Sequence, residues 1–198
     1  MDLKDYKKLG SFKHWWFEAK KDLILSQIKD KNLSLLEVGC GVSDLFNHEL
    51  NLVGVDLDSD SVKLNKKRGM NAVVGDATKL PFADSSFDVI ILADILEHLK
   101  ESTQALFEAK RVLKTGGRVI ITVPANKYLW SSHDVELGHV KRYSKKDLLD
   151  LTLSVGLKTL TCSYWNFFLF VPIFAFFKLS KLVNFKADSV KKKQCFFK

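Results

Sequence analysis

The sequence predicts an α/β fold built on a mostly parallel, doubly wound sheet, and three observations carry that expectation. Short apolar runs recur along the chain, near Leu33–Val38, Asn51–Asp56, Asn71–Asp76, Phe87–Ala93 and Arg118–Pro124, with helix-like stretches between them. Such alternation is the pattern of βα units whose strands are covered on both faces. The first run passes straight into the glycine turn Gly39-Cys40-Gly41. Acids stand at or near the tips of the first three runs, Glu37, Asp56 and Asp76, all in the same phase. With 198 residues, 46% apolar and 27% charged, the chain is about one domain and long enough to bury a sizeable core.

Taken in order, Asp5 to Asp30 reads as a helix, with His14-Trp15-Trp16-Phe17 ahead of Leu23, Ile24 and Ile28. These aromatics either pack against the sheet or form an N-terminal cap over residues 1–31 whose rings wall a pocket. The first strand follows and runs into its glycine turn. Glycine at 39 and 41 permits a sharp bend and a close ligand approach, and Ser43 or Asp44 is placed to cap a following helix with N–H groups aimed at a ligand. A dinucleotide fingerprint requires a third glycine where Asp44 stands, and an acid there repels phosphate. With Glu37 as a second carboxylate, the loop suits a cationic ligand without phosphate.

The second strand ends at Asp56, nineteen positions after Glu37, where a carboxylate catches ribose hydroxyls in nucleotide-binding sheets. The alternative is a turn-capping Asp in the run Leu57-Asp58-Ser59-Asp60. Asp60 or Ser61 is expected to cap a helix through Lys67, closed by Gly69. The third strand then leads to Gly75-Asp76-Ala77 and the fourth to Asp94-Ile95-Leu96-Glu97-His98-Leu99, at the sheet edge where ligands sit. The alternative for His98 is a helix residue bonded to backbone, a reading the residues favour slightly over a catalytic role. Ser102 to Leu113 has helical apolar spacing and is stopped at Lys114-Thr115-Gly116-Gly117 before the fifth strand.

Ala125 to Tyr143 is long for a connection without structure of its own, and such loops are usually functional. It concentrates Tyr128, Trp130, His133, Asp134, Glu136, His139, Lys141, Arg142 and Tyr143. Ser144 is expected to cap a helix to about Leu153, Gly156 to end it, and Leu157 to Tyr164 to form a sixth strand. Thr159 to Phe177 carries no charge over nineteen residues, part of it strand-like, which leaves too little for a spanning helix of about 20 residues. Followed by Lys178, Lys181, Lys186 and Lys191-Lys192-Lys193, residues 164–185 suit either an interfacial membrane contact or burial on the sheet or in a homodimer.

The net charge of +8 is unevenly placed: +3 over residues 1–31 and +6 over 178–198, so the middle of the chain is slightly acidic. A nucleic-acid substrate is therefore not expected. Cys40, Cys162 and Cys195 have no metal-ligand or disulfide-framework spacing, so no metal is expected and a reducing cytoplasm fits best, with membrane association through the C-terminal segment as a variant.

Several motifs carry a family resemblance. Glu37-Val38-Gly39-Cys40-Gly41-Val42-Ser43 resembles motif I of the class I S-adenosylmethionine-dependent methyltransferases, E/D-x-G-x-G-x-G, with Ser43 for the last glycine. Gly75-Asp76-Ala77 followed by Leu80-Pro81-Phe82 resembles the element whose Asp bonds the adenine amino group and whose next backbone N–H bonds a ring nitrogen. Asp94 to Leu99 resembles motif IV, and Arg111 to Gly117 resembles R-x-L-K-P-G-G with Thr115 for Pro. Gly138-His139-Val140-Lys141-Arg142-Tyr143 resembles the G-H-x-R-R-Y element of the type 11 and type 12 branch, and the Trp15-Trp16-Phe17 lead-in is similar to that of many small-molecule methyltransferases.

The resemblance implies a Rossmann-like three-layer αβα sandwich of strand order 3-2-1-4-5-7-6, in one methyltransferase domain over residues 1–198. Only Gln194-Cys195-Phe196-Phe197 offers the last strand, which is either vestigial or cut short. Residues 125–143 form a substrate loop and 164–198 an apolar then basic tail. S-adenosyl-L-methionine is the implied cofactor, held by Glu37, Gly39, Cys40, Gly41, Asp56, Leu57, Asp76, Ala77 and Asp94. His139, His133 and His98 are the catalytic candidates, and Trp16, Arg142 and Tyr143 the acceptor-binding ones. The implied reaction is in-line methyl transfer to a small-molecule, glycan or lipid-linked acceptor. A non-catalytic cofactor-fold binding protein is the alternative; a nicotinamide oxidoreductase is disfavoured by Asp44 and Asp76.

Overall fold

A computed structural model describes residues 15–45 and 49–165. Helix α1 (Trp15–Ser26) leads into strands β1 (Ser34–Val38) and β2 (Asn51–Asp56), helix α2 (Ser59–Lys67), and strands β3 (Asn71–Val74) and β4 (Phe87–Ala93). Helix α3 (Ser102–Val112), strand β5 (Leu113–Thr122), and helices α4 (Ser132–Glu136) and α5 (Lys145–Ser154) complete the described part. The five strands form one sheet of order β3-β2-β1-β4-β5 with every pairing parallel. The fold is the Rossmann-like α/β architecture predicted from the sequence, with the sheet reversing direction between β1 and β4.

Strand period decides the layers. Leu36, Val38, Ile90 and Leu92 point to one face, where Leu106, Ala109 and Val112 of α3 cover them. Their neighbours Leu35, Val89 and Ile91 point to the other, against Ile24 of α1, Leu45, Leu52 and Met70. Successive side chains on a strand alternate faces, so β1 and β4 carry apolar residues on both faces, interrupted by Ser34, Glu37 and Asp88, because both faces are covered. Each fully buried aliphatic side chain stabilises the fold by about 1.5–3 kcal/mol.

Several local expectations shift by a residue or an element. Asp58, not Asp60 or Ser61, caps α2; its carboxylate accepts from the backbone N–H groups of Asp60 and Ser61, at 3.2 Å each. Ser144 caps α5 as expected, in a capping box with Asp147. The stop after α3 is drawn into β5: Gly116 takes a left-handed φ of +79°, and Phe87 pairs with Leu113 while Val89 pairs with Arg118, so a bulge absorbs the turn. The described residues between the glycine turn and β2 hold no helix, and Ser43 is spent on Glu37 instead of a cap. Residues 157–164 form no strand. In the expected order a sixth strand pairs only with the seventh, and the segment offered for that strand, 194–197, lies outside the described residues. The expectations for residues 1–14 and 166–198, including most of the 164–185 interface segment, lie outside them too. No helix among the described residues is long and apolar enough to cross a membrane.

Candidate active site

The carboxyl ends of β1, β2 and β4 meet where the sheet reverses, and the glycine turn lies there. Gly39 N and Cys40 N both donate to Val55 O, at 2.8 and 3.1 Å, which folds the turn back onto β2. Gly39 and Gly41 have φ of +70° and +49°. A Cβ at Gly39 would stand 2.5 Å from the Ile95 side chain, so only glycine fits. Gly41 N donates to Asp56 Oδ2 at 2.7 Å, and Asp58 N donates to Asp56 Oδ1 at 2.8 Å.

Beneath the turn, Ser43 Oγ donates to Glu37 Oε2 at 2.5 Å. From α2, Asn65 Nδ2 donates to Gly41 O at 2.7 Å and Arg68 to Ser43 O at 2.8 Å. Neither Asn65 nor Arg68 was signalled by the sequence, because each acts across more than twenty residues of chain. Cys40 is buried, and burial, reinforced by the charges of Glu37 and Asp56, pushes its thiol up, so it is a packing residue and not a nucleophile. Leu57 is 73% exposed beside Asp56, Ala77 is half-buried, and the exposed Asp76 accepts from Thr78 N and Oγ1 at 2.8 Å each. Those two bonds hold the Asp76 carboxyl below its ordinary value.

The turn thus spends its N–H groups on Val55 O and the Asp56 carboxylate. A pyrophosphate arriving there meets a carboxylate where it needs donors. A ligand with ribose hydroxyls and a cationic head fits, since a carboxylate has about four acceptor positions and two bonds leave others open.

Glu37 lies under this loop, and burial pushes its carboxyl up from 4.5 to about 7. The unfolded chain therefore ionises first, and stability falls as pH rises from about 4.5 to about 7, at up to about 1.4 kcal/mol per pH unit. Glu37→Gln keeps an acceptor for Ser43 and is expected to flatten that slope and to be the more stable protein above it. Urea unfolding at a series of pH values checks this; an unchanged slope would assign the titration to another group.

At the end of β4, Asp94 sits in a left-handed conformation, φ +54°. Its Oδ2 accepts from Lys20 Nζ at 3.0 Å and its Oδ1 from Thr122 Oγ1 at 2.9 Å. Burial works against the charge on Lys20, but Asp94, with Asp44 and Glu37 behind it, holds its ammonium above the ordinary value. Helix α1 is thereby anchored over the sheet's carboxyl edge. Trp16, 36% exposed, packs on Trp165 with ring centroids 4.7 Å apart. Beyond Asp94 the chain makes a 3-10 turn, Leu96–His98, which buries Glu97 and leaves His98 exposed.

The loop 125–143 is ordered around one buried carboxylate. Asp134 accepts from Arg142 Nε and Nη2 at 2.7 and 3.0 Å, from Ser131 N at 2.8 Å, and lies 3.0 Å from His139 Nδ1. Burial opposes its charge, but the Arg142 and His139 bonds prevail and hold it well below the carboxylate range. Val140 N donates to Glu97 O at 2.7 Å, which sets the His139 ring 4.8 Å from that of His98. Two side chains expected at the acceptor hold the loop together here. The Arg142 guanidinium is the fork that clamps Asp134. Tyr143 is 3% exposed and its hydroxyl donates to Leu96 O at 3.1 Å, so it is a core residue. His133 is exposed on α4. Lys20, Glu97 and Asp134 belong to the site without having been singled out for it; the spacing of Asp134, His139 and Arg142 along one loop was the available signal. Lys127, Trp130, Val140, Lys141 and Arg142 line an open cleft of about 290 Å³ beside it.

Residues 36–121 match the family described as the methyltransferase domain. An uncharacterized protein of Methanocaldococcus jannaschii is 27% identical over 158 residues, 73% of this chain and 77% of that one. Demethylmenaquinone methyltransferase of Renibacterium salmoninarum is 38% identical over 74 residues, 36% of this chain and 31% of that one. The crystal structure of an S-adenosylmethionine-dependent methyltransferase from Thermotoga maritima superposes with a TM-score of 0.65 at 22% identity, covering 79% of this chain and 78% of that one. Residues 36–121 are thus similar to the methyltransferase domain family, and the fold is the one seen in the Thermotoga maritima S-adenosylmethionine-dependent methyltransferase. A human protein named Probable tRNA methyltransferase 9B is also similar, 29% identical over 58% of this chain and 24% of its own length. The expected exclusion of nucleic acid is therefore not supported. The chain spans less than a third of both named methyltransferase relatives.

Proposed function

We propose that this chain transfers a methyl group from S-adenosyl-L-methionine to a small-molecule, glycan or lipid-linked acceptor. The observation that carries the reading is the glycine turn whose N–H groups face Val55 O and the Asp56 carboxylate, which favours a ribose-bearing cationic ligand over a pyrophosphate. Gly39, Cys40 and Gly41 would line the amino-acid end, braced from below by Glu37; Asp56 would take the ribose hydroxyls, and Leu57, Asp76 and Ala77 the adenine. The bound cofactor supplies a methyl group already activated by its sulfonium charge. What remains for the protein is to hold the acceptor in line and to exclude water.

Helix α1, fixed by Lys20 to Asp94, and the loop around Asp134 close the two sides of that space. The Lys127–Arg142 cleft, with an indole and basic side chains, suits an aromatic or anionic acceptor. For a hydroxyl acceptor, a proton must leave its oxygen; His139, with Nδ1 against the Asp134 carboxylate, is poised to receive it on Nε2. The cysteine usage favours a cytoplasmic setting.

Thermal unfolding with S-adenosylhomocysteine, and in parallel with NAD, tests the cofactor assignment. A ligand at a hundred times its Kd adds about 2.7 kcal/mol of stability, a clear rise in melting temperature. The rise is expected with S-adenosylhomocysteine alone; a rise with NAD alone would overturn the reading. A transfer assay over phenolic, glycan, lipid-linked and tRNA acceptors then assigns the substrate.

A further inference from the structure

We propose that Glu97, His98 and His139 form a binding site for a divalent transition-metal cation at the carboxyl end of β4. One ligand atom from each of the three lies within 4.8 Å of the other two. Around a first-row ion, bond lengths of about 2.0–2.2 Å place neighbouring ligand atoms roughly 3–3.5 Å apart. The gap closes by rotating the His98 ring, which is exposed and joins the chain at the end of a short turn.

Two further features point to a ligand. Glu97 is 1% exposed, and its Oε2 has no hydrogen-bond partner among the described residues. A buried carboxylate oxygen without a donor is costly, and a cation relieves that cost. His139 is already oriented as metal-binding histidines are: the Asp134 carboxylate takes Nδ1, leaving Nε2 to coordinate. The Val140–Glu97 backbone bond holds the loop in register with the turn, so the three donors come together through the fold and not through sequence spacing.

The surroundings accept positive charge. The nearby cations are already matched, Lys20 by Asp94 and Arg142 by Asp134, so of Asp94, Asp134 and Glu97 it is Glu97 that forms no ion pair among the described residues. Two imidazoles beside one carboxylate favour zinc, iron, cobalt or manganese over magnesium or calcium, which take oxygen ligands. Three protein ligands leave coordination positions open. Where methyl transfer is the reaction, and this step rests on that reading, a cation here would hold an acceptor hydroxyl and lower its pKa, a task the lone His139 otherwise performs.

Titration of the metal-stripped full chain with Co(II), followed by its visible absorption, together with equilibrium dialysis against Zn(II), tests the site. One equivalent is expected to bind, with a spectrum showing nitrogen ligation. Glu97→Gln and His98→Ala are each expected to weaken binding at least tenfold, by about 1.4 kcal/mol or more. His98→Ala removes an exposed side chain, so its melting temperature shows that the fold survives. His133→Ala is expected to bind as the parent does. Absence of stoichiometric binding, or binding unchanged in His98→Ala and Glu97→Gln, overturns the proposal. Thermal shifts with S-adenosylhomocysteine in metal-free buffer report on the methyl-donor site independently, so the two readings fail separately.

Discussion

Arg142→Ala is expected to destabilise the protein by about 3–5 kcal/mol, the usual cost of removing one partner from a buried ion pair. The Asp134 side chain is 1% exposed and that of Arg142 16%, and the guanidinium meets both carboxylate oxygens. Without the fork, a buried charge keeps its bonds from Ser131 N and Oγ and from His139, but no full cationic partner of fixed charge. Arg142→Lys is expected to recover little, since an ammonium cannot reproduce two parallel bonds. Urea unfolding of the three proteins measures this. A cost under about 1 kcal/mol would place the pair with solvent-exposed bridges and remove Asp134 as the organiser of the loop.

Asp56→Ala is expected to weaken S-adenosylhomocysteine binding by about tenfold or more, through loss of charge-assisted bonds to ribose. The same change frees Gly41 N and Asp58 N from their acceptor and loosens the glycine turn. Asp56→Asn separates the two effects: its amide oxygen still accepts from one backbone N–H, while the carboxylate charge is gone. Isothermal titration of the folded variants reads the affinity directly. Unchanged affinity in Asp56→Ala would mean that the ribose acid lies elsewhere.

The fold and the glycine turn at the sheet's carboxyl edge could be read from the chain because their physics is local. Apolar runs of strand length, a glycine pair that must bend, and an acid at a strand tip are each written within a few consecutive residues. The parallel pairing then places Glu37 beside Gly54 and brings the tip of β2 to the glycine turn. The 125–143 loop was another matter. Arg142 and Tyr143 look available in sequence, yet one is consumed by Asp134 and the other by Leu96 O. Nothing within the loop shows where its partners are, because those bonds close only after the loop packs on the Leu96–His98 turn.

The sequence by itself determined the strand period, the glycine turn and the three acidic tips, hence the α/β fold and its acid-bearing carboxyl edge. The tertiary structure alone decided that Lys20 would pin α1 to Asp94, that Asp134 would orient His139, and that Glu97 and two histidines would share one corner. The reason is physical: backbone conformation and amphipathic period are properties of neighbours in the chain. The pairing of buried charges depends on which distant side chains are left without water together.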